Sequence, residues 1–209
     1  MTLLSYGLLL TIYALVLVQN LYLLVGLVAV QALLLGAQSI ALGWRYGDTA
    51  LYWAAALTFI IKGGIIPLFL RYTIRRIRVI QVVDGIFTIK VTLLIAIGLT
   101  LAAYYATGGL ITALGPEGEF LPVALTIVLI GLFLMVSRRV ALTQAIGLLV
   151  IENGMFLAAL ATTRGLPVLV DIGIFFDVLV SAIVMGMLVF RINATIDSLD
   201  TQELRRLRG

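Results

Sequence analysis

The sequence predicts an all-α protein, a polytopic bundle of about seven transmembrane helices with its N-terminus outside and its C-terminus in the cytoplasm. Three observations predict it. Of the 209 residues, 63% are apolar and only 11% charged, with a mean hydropathy of +1.20, against about 45–50% and about 25% in soluble domains. Long uncharged stretches alternate with short charged ones. The basic residues cluster in alternate connections, the pattern of a chain that crosses a bilayer repeatedly. The chain holds no Cys and no His, which excludes disulfides, iron–sulfur clusters, thiolate zinc sites and histidine-ligated haem. It also removes the usual general base and the Ser–His and Cys–His nucleophile pairs.

The first charge is Arg45. An uninterrupted helix over residues 1–44 would be about 66 Å long, twice the about 30 Å of hydrocarbon. The chain must fold back, and the polar pair Gln19-Asn20 marks the bend, giving spans near 2–18 and 22–43. The start lacks a basic n-region, so a cleaved signal peptide is not expected. Span three covers about 50–71, with Lys62 in its middle, and Arg71, Arg75, Arg76 and Arg78 follow. Span four is about 88–108, and turn formers run from Gly108-Gly109 to Gly115-Pro116. Span five, about 121–136, ends in Ser137-Arg138-Arg139. Span six is about 141–162 with Glu152 near its centre, and span seven about 170–190 with Asp177 inside it. Six spans result if the first or fifth lies in the interface. Eleven basic residues, among them Arg71, Arg75, Lys90, Arg138 and Arg191, then fall on one side. Only Arg45 and Arg164 fall on the other, beside Asp48, Glu117, Glu119 and Asp171.

Lys62, Glu152 and Asp177 lie near the middle of their spans. At about 2.5–3.5 kcal/mol each for a charge at the helix centre, they must face protein or water. Buried amines and carboxyls shift toward neutral proton affinity, the physical basis of an intramembrane relay; a static ion pair that orders helix packing is the other reading. The segment Lys62-Gly63-Gly64-Ile65-Ile66-Pro67 predicts a helix break. Proline removes a donor and clashes one turn back, while Gly63 and Gly64 admit either water or a close helix. Gln38, Gln144 and Asn153 are secondary polar candidates, with Gln31 on the face of Gln38; hydrogen bonding between helices is their default role. The Arg71–Arg78 cluster suits membrane anchoring or an acidic or lipid partner.

Three further segments carry a resemblance. The stretch Ser137-Arg138-Arg139 … Gly147 … Glu152-Asn153-Gly154 is similar to the K subunit of respiratory complex I and its cation-antiporter relatives. With Phe59-Ile60-Ile61-Lys62 … Pro67-Leu68 and Ile172-Gly173-Ile174 … Asp177 … Ile183-Val184-Met185, the chain more closely resembles the hydrogenase-4 component E family. The resemblance implies one integral membrane domain over 1–209: a three-span part (1–86), the fourth span and external loop (87–118), a part like the K subunit (119–192) and a cytoplasmic tail (193–209). It implies a membrane-arm subunit of a proton-translocating, complex-I-like hydrogenase or formate hydrogenlyase in a prokaryotic cytoplasmic membrane. Such a subunit has no active site or cofactor of its own and binds no nucleic acid. Its partners are antiporter-like and H-subunit-like membrane proteins, and through them nickel–iron and iron–sulfur subunits. Glu152 stands where the K subunit has its midplane glutamate, and Asp177 lies near the second. A structural anchor in the same assembly and a free-standing secondary transporter are the competing readings. A worn duplication, with Gln38 matching Glu152, is a further expectation.

Overall fold

A computed structural model describes residues 2–77, 85–138 and 140–163. Within them the chain is a bundle of helices: α1 (Thr2–Leu17), α2 (Leu21–Tyr46), α3 (Thr49–Leu57), a π-helical stretch (Thr58–Ile65), α4 (Ile66–Ile77), α5 (Ile89–Leu114), a 3-10 turn (Gly115–Glu119), α6 (Phe120–Ser137) and α7 (Ala141–Thr163). Five helical stretches are long and apolar enough to cross a membrane, α3 to α4 counting as one, and α1 is a shorter apolar helix. The expected seventh span and its Asp177, like Arg78, Arg164 and Arg191, lie outside the described residues.

The bend between α1 and α2 falls at the polar pair. Asn20 Oδ1 accepts from the Tyr22 and Leu23 amides at 2.9 and 3.3 Å, satisfying donors that a helix start leaves open. At the far end of α2, Gly47 takes a left-handed φ of 66°, which favours glycine. Asp48 then caps α3 by accepting from the Ala50 amide at 2.9 Å. The Ser39 hydroxyl donates to the Leu51 carbonyl at 2.8 Å, tying this hairpin together.

One expectation is corrected. The external loop does not begin at Gly108-Gly109: α5 runs through both glycines to Leu114. In hydrocarbon a broken backbone hydrogen bond has no water to replace it, so glycines that would punctuate a soluble helix stay helical. The helix stops only at Gly115, whose φ is 75°, followed by Pro116.

The core runs along the inner faces of α1, α2, α6 and α7, with Leu8, Ile12, Leu35, Phe120, Ile127 and Leu157 all but sealed from solvent. Spacings of three and four residues place such side chains on one helix stripe. Helix α5 buries the least, exposing Leu94, Leu101 and Tyr105.

Two contacts define opposite ends of the bundle. Arg45, at the end of α2, bridges to Glu117 in the 3-10 turn at 3.4 Å, so the two share an end, as the alternating charge pattern predicts. At the other end Arg138 is buried, and its Nη2 donates to the Val16 and Val18 carbonyls at 3.3 and 3.2 Å. These carbonyls close α1, where a helix leaves acceptors open and its dipole is negative. Burial draws the guanidinium below the usual arginine range, yet arginine stays protonated. Beside it the Ile86 amide donates to the Ser137 carbonyl at 3.0 Å. Arg138→Met should remove the cap and lower unfolding stability in detergent by about 1–3 kcal/mol; an unchanged melting midpoint would show that these bonds contribute nothing.

Candidate functional site

Pro67 shapes the site from one side. Having no N–H, it can donate to neither the Gly63 carbonyl, its α-helical acceptor, nor the Lys62 carbonyl, its π-helical one. The chain answers by widening rather than breaking. Residues Thr58–Ile65 are π-helical, and the Ile66 amide reaches the Ile61 carbonyl. Such bulges shift the register of side chains along a helix. Here the wide turn carries Lys62 into the bundle, where it is 4% exposed. Gly63 takes the packing alternative, since a Cβ there would lie 3.1 Å from Leu33 of α2. Among the described residues, Gly64 meets only its own helix, at Phe59. On the facing helix, Gly36 accepts the Phe59 ring so closely that a Cβ would lie 2.6 Å from it. The predicted helix break at Gly63, Gly64 and Pro67 is therefore a π-helical widening against α2.

Helix α7 forms the other side. Gly147 and Gly154 bring it against α6 nearly backbone to backbone: a Cβ on Gly154 would meet Val128 Cγ2 at 2.7 Å and the Ala124 carbonyl oxygen at 2.9 Å. With that face committed to α6, Glu152 and Asn153, each 1% exposed, lie buried within the bundle, where Asn153 meets α2 and the π-helical stretch.

The elements converge on one buried network. Lys62 Nζ lies 3.4 Å from Glu152 Oε1. It donates to Asn153 Oδ1 at 3.2 Å, and Asn153 Nδ2 donates to Gln31 Oε1 at 3.1 Å. The ammonium also stands 5.9 Å from the centroid of the Phe156 ring, within cation–π range. Amine, carboxylate, two amides and a ring thus join three membrane-spanning stretches. A carboxylate and an ammonium in contact away from water attract strongly, and their desolvation opposes most of that gain. Chemically the pair has two forms: ammonium–carboxylate, and neutral amine–carboxylic acid, related by one proton transfer.

Of the residues singled out from sequence, Lys62, Glu152 and Asn153 meet. Gln31 joins them, so its role as an interhelical hydrogen-bonding residue holds. Gln38 is fully buried two turns further along α2, and its amide has no hydrogen-bond partner among the described residues. Gln144 is not at the site. It is exposed and donates to the Arg138 carbonyl at 3.4 Å, because eight residues carry it about 80° around the helix from Glu152. Phe156 escaped the sequence reading, although its position one turn after Glu152 puts it on the same face.

Fold and site define a multi-pass helical membrane protein with a buried, hydrogen-bonded ion pair inside its bundle. Comparison with known proteins places it further. The chain is 33% identical to hydrogenase-4 component E of Escherichia coli over 166 residues, covering 78% of this chain and 75% of that protein. The same protein of Shigella flexneri matches to the same extent. The chain belongs to the hydrogenase-4 component E family. It is also 38% identical over 118 residues to an uncharacterised protein of Mycobacterium tuberculosis, where the match spans 56% of this chain and 54% of the relative. No family profile matches the chain, and no solved structure does.

Proposed function

We propose that the protein is a membrane subunit of a complex-I-like, proton-translocating hydrogenase in a prokaryotic cytoplasmic membrane, and that the Lys62–Glu152 pair handles protons within it. The carrying observation is the 3.4 Å contact between two ionisable groups sealed from solvent on different spans. The name of the Escherichia coli relative supports the assembly, and the likeness of residues 137–154 to the K subunit of complex I supports the role. When charge changes in a neighbouring subunit, the pair passes between its charged and neutral forms, and Glu152 holds or releases the mobile proton. Asn153 and Gln31 fix the Lys62 head group so that the exchange happens at one geometry. Asp177 is the next carboxylate of the relay. One charge moved across 100 mV corresponds to about 2.3 kcal/mol. A change of two units in proton affinity, about 2.7 kcal/mol, suffices to drive it.

A static pin is the second reading, favoured by the Asn153–Gln31 link, which braces the pair as a register device would. Glu152→Gln separates the two. In inverted vesicles carrying the assembled complex, the relay predicts at least a tenfold loss of protons moved per electron, with the subunit complement intact. Wild-type pumping by a fully assembled variant overturns it.

A further inference from the structure

A cavity of about 290 Å³ opens between α1, α5 and α6, at the same end of the bundle as the Arg45–Glu117 bridge. It is at the small end of ligand-binding cavities, about 300–1,000 Å³, a size for a head group rather than a whole lipid. Its polar lining is Ser5, Tyr6, Tyr104 and Glu119. Ile111, Pro122 and Val123 form the apolar remainder. Ser5 is 6% exposed, and its hydroxyl has no hydrogen-bond partner among the described residues. One turn along α5 from Tyr104, the Tyr13 hydroxyl and Thr100 Oγ1 meet at 2.7 Å and close α1 against α5.

Among the described residues no basic side chain lines this space, and Pro122 contributes no N–H. What the described walls offer is one carboxylate, two electron-rich rings and three hydroxyls, those of Ser5, Tyr6 and Tyr104. The carboxylate disfavours phosphate or a second carboxylate and attracts an ammonium, which aromatic rings hold through their negative faces and hydroxyl oxygens accept from. Exposed Leu10 of α1 and Leu101 and Leu94 of α5 continue away from the cavity along the bundle's side. An acyl chain would lie on them while its head group entered the cavity.

We infer that this cavity binds the ammonium head group of an aminophospholipid, with Glu119 and the Tyr6 and Tyr104 rings around the cation. Ser5 accepts one of the ammonium's hydrogen bonds, and the exposed leucines carry the chains. The site is independent of the Lys62–Glu152 pair.

Native mass spectrometry of the full chain in detergent, equilibrated with equal amounts of phosphatidylethanolamine and phosphatidylglycerol, tests this. Retention of phosphatidylethanolamine should exceed that of phosphatidylglycerol roughly tenfold. Glu119→Gln and Tyr104→Leu should erase the preference, and Tyr104→Phe, which keeps the ring, should preserve it. Free ethanolamine should compete. Equal retention of the two lipids, a preference unchanged in Glu119→Gln, or binding of ethanolamine without preference for its lipid each overturns the proposal. Circular dichroism of each variant identifies any that has lost its helices, and the conservative Glu119→Gln and Tyr104→Phe variants keep the test decisive if Tyr104→Leu does not fold.

Discussion

Lys62→Met is expected to destabilise the protein by about 3–5 kcal/mol, and Lys62→Met combined with Glu152→Leu to recover roughly half of that loss or more. The single substitution leaves a carboxylate that is 1% exposed without the ammonium 3.4 Å away. Breaking a buried pair costs that much, because the remaining charge loses its counter-ion without gaining water. Replacing both partners by apolar side chains of similar bulk is often neutral or stabilising. Asn153 and Gln31 keep their mutual bond in the double variant, so the loss of the Lys62–Asn153 bond is the residual penalty, about 1.5–3 kcal/mol at most for a bond to a charged group. Denaturant unfolding in detergent measures the cycle. Additive losses would mean that the two side chains do not interact. A stable double variant that assembles but moves no protons would further separate the pair's chemical role from its structural one.

Gly154→Ala is expected to lower stability by about 1–3 kcal/mol, the usual range for overpacking, although alanine is the better helix former by about 1 kcal/mol. The new Cβ would meet backbone atoms, the Val128 amide nitrogen and the Ala124 carbonyl oxygen, both at 2.9 Å. Backbone cannot rotate aside, so α6 and α7 must part. The same displacement disturbs the fit of Asn153 against Lys62 and Gln31, so a measurable loss of pumping should accompany the lower melting midpoint. Gly98→Ala is the counterpart: nothing among the described residues lies within 4 Å of a Cβ there, and the variant should match or slightly exceed the wild type. Equal midpoints for the two variants would refute the account of the α6–α7 seam.

Much of the architecture was legible because each span is bounded by a feature that hydrocarbon does not tolerate. Asn20 ends the first span, Gly47-Asp48 the second, and Arg138 the fifth, and the helices on either side start and stop within a few residues of the expected places. The Gly108-Gly109 boundary failed because glycine's punctuating power depends on water being present to take the freed bonds. Within the site, Lys62 and Glu152 stood out because ionisable groups in mid-span need a reason. Their pairing did not, since a contact between residues 90 apart in sequence leaves no trace in local spacing. Gln31 and Gln38 share one stripe of α2, and only the height at which α7 crosses decides that Asn153 meets the first. Gln144 shares α7 with Glu152 but stands about 80° round the helix from it, so a polar residue two turns away on the same span does not reach the site.

The interval between the partners has a consequence for biogenesis. Lys62 leaves the ribosome 91 residues before Asn153, and Glu152 emerges only one residue sooner. At about 5–20 residues per second, the nascent amine waits roughly 5–20 s before either exists. During that time its span must linger beside the insertion machinery, snorkel toward a head group, or shelter against a protein that arrives early. The charge on Lys62 is therefore retired late, when α7 enters and brings Glu152 and Asn153 to it.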